Sequence, residues 1–290
     1  MPGLICLTGI VKYPIVTVRM GVGEQEDSGH GNVSLPSKII LALRYFIQIA
    51  FNGSEYHGWQ RQPNAYSVQQ ALEEALSTLL GSEIAIVGAG RTDAGVHAAE
   101  IYAHFDYENP LDLEDLTHKL NRFLPKSIAI QTIRRVSNEA HARFDATSRS
   151  YRYLIETEKN PFNTDFTHFI GLPLDLEQMN KAAEFLIGMQ DFECFSRTHT
   201  DVKTFICDVK AASFTKEGSL IRFEITSDRF LRNMVRAVVG SLLEVGLGKR
   251  SPEWIQELIQ SKSRSKAGAS APAKGLSLTA VNYPNSIWNE

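Results

Sequence analysis

The sequence predicts an α+β fold made of two related units, each an antiparallel sheet with helices packed on one face. Three observations carry this prediction. In the first half of the chain, β-prone runs and helix-periodic stretches follow the order strand, helix, strand, strand, helix, strand. The same order recurs in the second half. At 290 residues, the chain is also long enough for two domains of ordinary size.

The first unit begins at Arg44. Ser67, with Gln70 three residues later, is expected to cap a helix whose apolar residues form one face. The predicted helices are 67–80 and 113–123, and the predicted strands are 45–51, 83–87, 99–107 and 128–136.

The second unit repeats this order, with one helix more. Its predicted helices are 176–186, 230–245 and 252–260, and its predicted strands are 151–156, 202–214, 219–226 and 276–283. The Ser-, Ala- and Lys-rich stretch 261–274 is predicted to be a mobile connection. We therefore expect two ferredoxin-like or RRM-like domains, residues 44–148 and 149–285, with an active-site cleft between them. Residues 1–43 are expected to be a poorly ordered extension, and 286–290 a tail.

Composition narrows the class of protein. A content of 43% hydrophobic and 22% charged residues is typical of a soluble globular protein. No run of about 18 apolar residues occurs, so no membrane span is predicted. The three cysteines are far apart and form no C-x-x-C motif, which favours a reducing, cytoplasmic setting over disulfides or zinc.

The positive charge of the chain is unevenly distributed. The formal net charge of -3 does not indicate a nucleic-acid partner. Between residues 229 and 274, however, nine Lys or Arg stand against three Glu. Charge alone leaves two interpretations open: phosphate binding and a solvated helix face.

Residues 88–97 read GAGRTDAGVH and place Arg91 and Asp93 after a predicted strand. Asp93 stands where a dinucleotide-binding fingerprint needs glycine, and the run lacks the Gly-Lys-Ser/Thr ending of a phosphate-binding P-loop. Asp93 and His97 lack further ligands at a spacing typical of a metal site. Two interpretations stay open: a tight turn whose Asp caps a helix, and a charged site. An ionised carboxylate beside a guanidinium is a usable nucleophile or base.

Four other segments accompany this run in order. They are GSEYHGWQRQ at 53–62, HARF at 141–144 followed by RSYRY at 149–153, NMVR at 233–236, and GLSL at 275–278. Together the five motifs resemble the TruA family of tRNA pseudouridine synthases over residues 44–284. The chain departs from the family pattern at Asn52, where Asp is usual, and at Ala140, where Phe often stands. Lys203-Thr-Phe205 also replaces an Arg-Thr-aromatic segment. These departures concern substrate detail rather than the reaction.

The resemblance implies isomerisation of uridine to pseudouridine at positions 38, 39 and 40 of the tRNA anticodon stem-loop. It implies a cytoplasmic homodimer that needs no cofactor and no metal. Asp93 matches the catalytic aspartate and is expected to be the nucleophile; attack on C1′, addition to the base and removal of a sugar proton all stay open. Arg91 is expected to position the phosphate or expel the stacked base, with a structural ion pair as the alternative. Arg236 is expected to pair with Asp93 across the cleft.

The resemblance also implies how the RNA is held. Tyr151 matches the tyrosine that stacks on the target base, and Leu276 or Leu278 is expected to form the apolar floor beneath the uracil. The expected phosphate contacts are Arg143, Arg149, Arg152, Arg229, Arg232, Lys249 and Arg250. Trp59 is expected to be structural. Two rival functions are an RNA-binding protein that has lost catalysis, and a metal-dependent phosphoesterase that uses Asp93 and His97.

Overall fold

The computed structural model describes residues 42–198 and 202–288. These residues form an α+β structure with one mixed sheet and five α-helices, so the predicted fold class is confirmed. Apart from its last two residues, the expected extension 1–43 lies outside the described residues. Within the described ranges, no helix is both long enough and apolar enough to span a membrane.

The helices agree closely with the sequence pattern. They are α1 (Val68–Leu80), α2 (Leu113–Phe123), α3 (Leu176–Glu184), α4 (Met234–Gly246) and α5 (Trp254–Ser261). At the start of α1, the Ser67 side chain accepts the backbone N–H of Gln70 at 3.2 Å, as the capping motif predicts.

The strands include two short ones that the sequence did not predict, β6 and β7. In chain order they are β1 (Leu43–Phe51), β2 (Val87–Gly88), β3 (His97–Tyr107), β4 (Ile128–Arg135), β5 (Ser148–Glu156), β6 (His168–Phe169), β7 (Gly188–Asp191), β8 (Ile206–Glu217), β9 (Leu220–Ser227) and β10 (Leu276–Asn282). Runs of two to four residues are too short to show a hydrophobic period.

A single sheet runs in the order β4-β1-β3-β10-β5-β9-β8-β7, with β2 on β3 and β6 on β5. Its last strand in sequence, β10, lies near the middle. It pairs antiparallel with β5, and parallel with the first two residues of β3. The two predicted antiparallel sheets are thus continuous through β10.

The apolar side chains form two clusters. One lies among β1, β3, β4, α1 and α2, and the other among β5, β8, β9, α3, α4 and α5. The strand β10 contributes to both, since Leu278 belongs to the first cluster and Leu276 to the second. The division into domains 44–148 and 149–285 stays a prediction. In the predicted tail, Ile287 is buried and Trp288 bridges to Val136.

The predicted strand 83–87 is wrong over most of its length, because only Val87 belongs to a strand. Side chains of α1 take the backbone donors that a neighbouring strand would need. The Ser77 hydroxyl accepts the N–H of Ile84 at 2.9 Å, and the Glu73 carboxylate accepts the N–H of Ile86 at 3.2 Å.

The helix α4 begins four residues later than predicted. Asn233, directly before it, has φ 65°, a left-handed conformation that Asn tolerates better than most residues. The stretch 261–274, predicted to be mobile, contains two short 3-10 helices and is bonded to α4. Ala271 donates its N–H to the Arg236 carbonyl at 2.9 Å, and Gly268 donates to the Ser241 hydroxyl at 2.9 Å.

The contact between α4 and this stretch leaves no space for a side chain at Gly240. A Cβ there would lie 1.7 Å from the carbonyl oxygen of Ala269. We expect Gly240→Ala to lower the free energy of unfolding by about 1–3 kcal/mol, a typical cost of overpacking, although Ala favours a helix by about 1 kcal/mol over Gly. Urea unfolding measures the change. Gly90→Ala is the control, because that Cβ would meet no atom within 4 Å. Equal stability of both variants would contradict the packing argument.

The strand β3 also carries a buried histidine. His104 is 5% exposed, and its Nδ1 accepts the N–H of Ala142 at 3.1 Å. Burial, followed by the nearby positive charge of Arg44, lowers the pKa of His104 to about 4. Near pH 7 the imidazole of His104 is therefore neutral in the folded protein.

This histidine makes stability depend on pH. The pKa of His104 is lower in the folded chain than the ordinary value of about 6.5. Its contribution to the free energy of unfolding is therefore complete above pH 6.5, and roughly 3 kcal/mol of it is lost as the pH falls toward 4. We expect His104→Asn, whose amide oxygen can replace Nδ1, to flatten the curve of unfolding free energy against pH over this range. Urea unfolding between pH 4 and 7.5 tests this. His118→Asn, at an exposed position of α2, should leave the slope unchanged.

Candidate active site

The Gly-rich run forms the loop between β2 and β3. Its Asp93 carbonyl accepts the N–H of Val96 at 3.1 Å, in a turn where Gly95 has φ 75°. The loop after β1 lies against it. The backbone N–H of Trp59 donates to the Thr92 carbonyl at 3.3 Å, and the backbone N–H of Gly95 donates to the Tyr56 carbonyl at 3.3 Å. A strand follows this turn, so Asp93 caps no helix.

Asp93 forms an ion pair with Arg236 of α4. Arg236 Nη1 lies 3.5 Å from Asp93 Oδ2, and the two side chains are 22% and 26% exposed. Arg236 is itself held, since its Nε donates to the Ala271 carbonyl at 2.7 Å. A pair that is mostly removed from solvent is screened less than a surface pair. The carboxylate is thus fixed in place while part of it stays accessible.

Arg91 has a different environment. Its side chain is exposed, and its Nε donates to the amide oxygen of Gln60 at 3.1 Å. Within the described residues it makes no ion pair with Asp93, so the structural ion pair considered for it is not present. Its guanidinium keeps donors that can reach a bound anion.

Tyr151 lies beside this pair. Its ring meets Phe230 edge to face, with centroids 5.1 Å apart and an interplanar angle of 89°. Burial, and then the charge of Asp93, raise the pKa of Tyr151 to about 12. The phenol is therefore neutral near pH 7. Phe230, which the sequence analysis did not select, supports the ring from the loop before α4.

The two leucines expected to form the floor beneath the uracil are both buried, but they lie in different surroundings. Leu278 is paired with Tyr151 in the register of β10 and β5, whereas Leu276 is paired with Tyr153. They belong to different apolar clusters. Leu278 is thus the leucine next to the tyrosine of the site.

His97, at the start of β3, is held by main-chain groups on both sides. Its Nδ1 accepts the N–H of Gly53 at 3.0 Å, so the proton lies on Nε2, which faces the Lys274 carbonyl at 3.1 Å. Burial lowers the pKa of His97. Both ring nitrogens are engaged, and the described part of the chain contains no group of three His, Cys, Asp or Glu side chains suited to a metal. This geometry gives no support to the phosphoesterase alternative.

Arg149 was expected to contact phosphate, but its guanidinium binds the protein backbone. Nη1 donates to the carbonyls of Ala146 at 2.9 Å and Asp228 at 2.8 Å. Nη2 donates to the carbonyls of Ala89 at 3.1 Å and Arg143 at 2.6 Å. The side chain thereby joins three loops: the Gly-rich run 88–97, the HARF segment and the connection from β9 to α4. We call this arrangement the Arg149 clamp.

The other arginines and the lysine expected to bind phosphate differ in whether their side chains already have a partner within the protein. Arg152 pairs with Glu224, and Lys249 pairs with Glu244. Arg250 lies over the Trp254 ring at 5.0 Å, and Arg143 over Phe144 at 5.7 Å. As far as the chain is described, the side chains of Arg229 and Arg232 make no hydrogen bond or ion pair, so these two are the most available to an anion.

Known proteins match most of this sequence. A sequence profile described as tRNA pseudouridine synthase matches residues 47–145 and 182–284. The tRNA pseudouridine synthase A of Bacteroides fragilis is 51% identical over 247 residues, which cover 84% of this chain and 98% of the relative. The enzyme of the same name from Porphyromonas gingivalis is 48% identical over 250 residues, covering 84% and 99%. The chain therefore belongs to the tRNA pseudouridine synthase family.

Proposed function

We propose that this protein isomerises uridine to pseudouridine in tRNA, at positions 38, 39 and 40 of the anticodon stem-loop, with Asp93 as the catalytic nucleophile. Family membership supports the reaction and the substrate class. The observation that carries the assignment of the site is the partly exposed Asp93 carboxylate, held by Arg236 next to Tyr151.

The chemistry fits these residues. In this reaction the bond from C1′ to N1 of the base breaks and a bond from C1′ to C5 forms, while the C5 proton is released and N1 takes up a proton. The product is an isomer of the substrate, so no co-reactant is needed. An ionised carboxylate supplies the nucleophile or base for such a step. The neutral ring of Tyr151 offers a stacking face to a uracil taken out of the RNA stack, and Leu278 lies beside that ring.

Arg91 and Arg236 have separate roles in this proposal. Arg236 orients Asp93, because it is bonded both to the carboxylate and to the Ala271 carbonyl. Arg91 is exposed and binds the phosphate of the target nucleotide or takes the place of the flipped base. Arg229 and Arg232 contribute further phosphate contacts, which position an RNA without reading its sequence.

Asp93→Asn tests the nucleophile. The amide keeps the size of the side chain but removes its charge, so we expect pseudouridine formation to fall by at least roughly 10³-fold while tRNA affinity stays near that of the wild type. Tritium release from tRNA labelled at uridine C5 measures the reaction, and filter binding measures affinity. Asp106→Asn is the control, because Asp106 pairs with Arg44 outside the site.

The same assay separates the rival functions. An unchanged yield in Asp93→Asn would refute the catalytic assignment. A wild-type protein that binds tRNA without releasing tritium would support the RNA-binding protein that has lost catalysis. Loss of activity with a chelator would support the metal-dependent phosphoesterase, whereas the proposed reaction should continue in its presence.

We also propose that the protein acts in the cytoplasm as a homodimer, since the family resemblance implies a second subunit that helps to hold the tRNA. Sedimentation equilibrium should then give the mass of two chains of 32.4 kDa each. A monomer whose rate of pseudouridine formation per chain is the same at all protein concentrations would contradict the proposed dimer.

A further inference from the structure

The turn at residues 141–145 presents a phenylalanine to solvent. Phe144 is 73% exposed, although a ring of this size is usually buried. Its ring centroid lies 4.3 Å from that of His141, at an interplanar angle of 32°, and the Arg143 guanidinium lies 5.7 Å from it. We call these three side chains, His141, Arg143 and Phe144, the aromatic platform.

Hydrogen bonds within the turn fix the backbone of the platform. His141 Nδ1 accepts the N–H groups of Arg143 at 3.1 Å and Phe144 at 3.3 Å. Asp145 closes the turn, because its carboxylate accepts the N–H of His141 at 2.7 Å and its own N–H donates to the His141 carbonyl at 3.1 Å. A ligand would therefore meet a preorganised surface and lose little affinity to ordering the backbone.

The Arg149 clamp places the platform beside the Gly-rich run. One nitrogen, Nη2, binds both the carbonyl of Arg143 in the platform and the carbonyl of Ala89, directly before residues 90–93. Both carbonyl oxygens lie within 3.1 Å of that atom. The platform and the loop that carries Asp93 are thus joined through a single guanidinium.

We propose that the aromatic platform stacks on the tRNA base that flanks the target uridine; this inference rests on the proposed function. When a uridine leaves the stack, the faces of its neighbours lose their partners, and an exposed aromatic ring offers a replacement. Base–aromatic stacking accepts any base, which suits an enzyme that acts at several positions. The Arg143 guanidinium adds positive charge for the adjoining phosphate.

Phe144→Leu tests the platform, since it keeps an apolar side chain but removes the aromatic face. We expect the Kd for an anticodon stem-loop RNA and the KM to rise roughly tenfold, with a smaller change in kcat. Phe144→Tyr should restore both values. In an RNA with 2-aminopurine next to the target, quenching of its fluorescence on binding should be lost in Phe144→Leu and kept in Phe144→Tyr.

Phe123→Leu is the matched control, because Phe123 is 53% exposed at the end of α2 and lies outside the turn. Wild-type affinity in Phe144→Leu, or an equal loss in Phe123→Leu, would overturn the proposal. A loss of affinity that accompanies dissociation of a dimer would also overturn it and place Phe144 at a subunit interface. Since the binding assays need no turnover, a wild-type protein that forms no pseudouridine would count against the proposed function alone.

Discussion

The pairing of β10 with both β3 and β5 is the constraint on which the site depends. The carboxylate of Asp93 lies just before β3, and Tyr151 lies on β5, so β10 sets the spacing of the two. The segment before β10 is fixed in turn, because the Tyr153 hydroxyl donates to the Pro272 carbonyl at 2.9 Å and Arg236 donates to the Ala271 carbonyl. The final strand thus aligns the carboxylate, its arginine and the tyrosine.

Positive charge serves two different purposes in this protein. The guanidinium of Arg149 donates four hydrogen bonds to main-chain carbonyls, and burial lowers its pKa. It holds the surrounding loops together, whereas the side chains of Arg229 and Arg232 make no hydrogen bond or ion pair within the described residues. The number of arginines near a site therefore overstates the number available to phosphates, because an arginine such as Arg149 instead satisfies the backbone of the surrounding loops.

The sequence predicts what is local. The Ser67 cap and the apolar spacing locate α1 and α2 to within a residue, because both signals act within one or two turns. The strand predicted at 83–86 is absent because the side chains of Ser77 and Glu73 bond its backbone, and no pattern in that stretch shows this. The sequence also could not predict contacts between residues far apart in the chain. The central position of β10 and the backbone contacts of Arg149 are seen only in the folded structure. The motif identified Asp93, but it could not distinguish Arg149 from a phosphate-binding arginine.

The position of β10 also has a consequence for the order in which the molecule can be assembled. A growing chain completes every other strand of the sheet before it reaches Leu276, so the start of β3 and one side of residues 148–153 of β5 have no partner until β10 is made. Unpaired strand edges favour association with other chains. The centre of the sheet therefore closes only after all the other strands have been made, and its open edges are exposed to misassembly until then. The pairing that places Asp93 near Tyr151 can form only once β10 has been made.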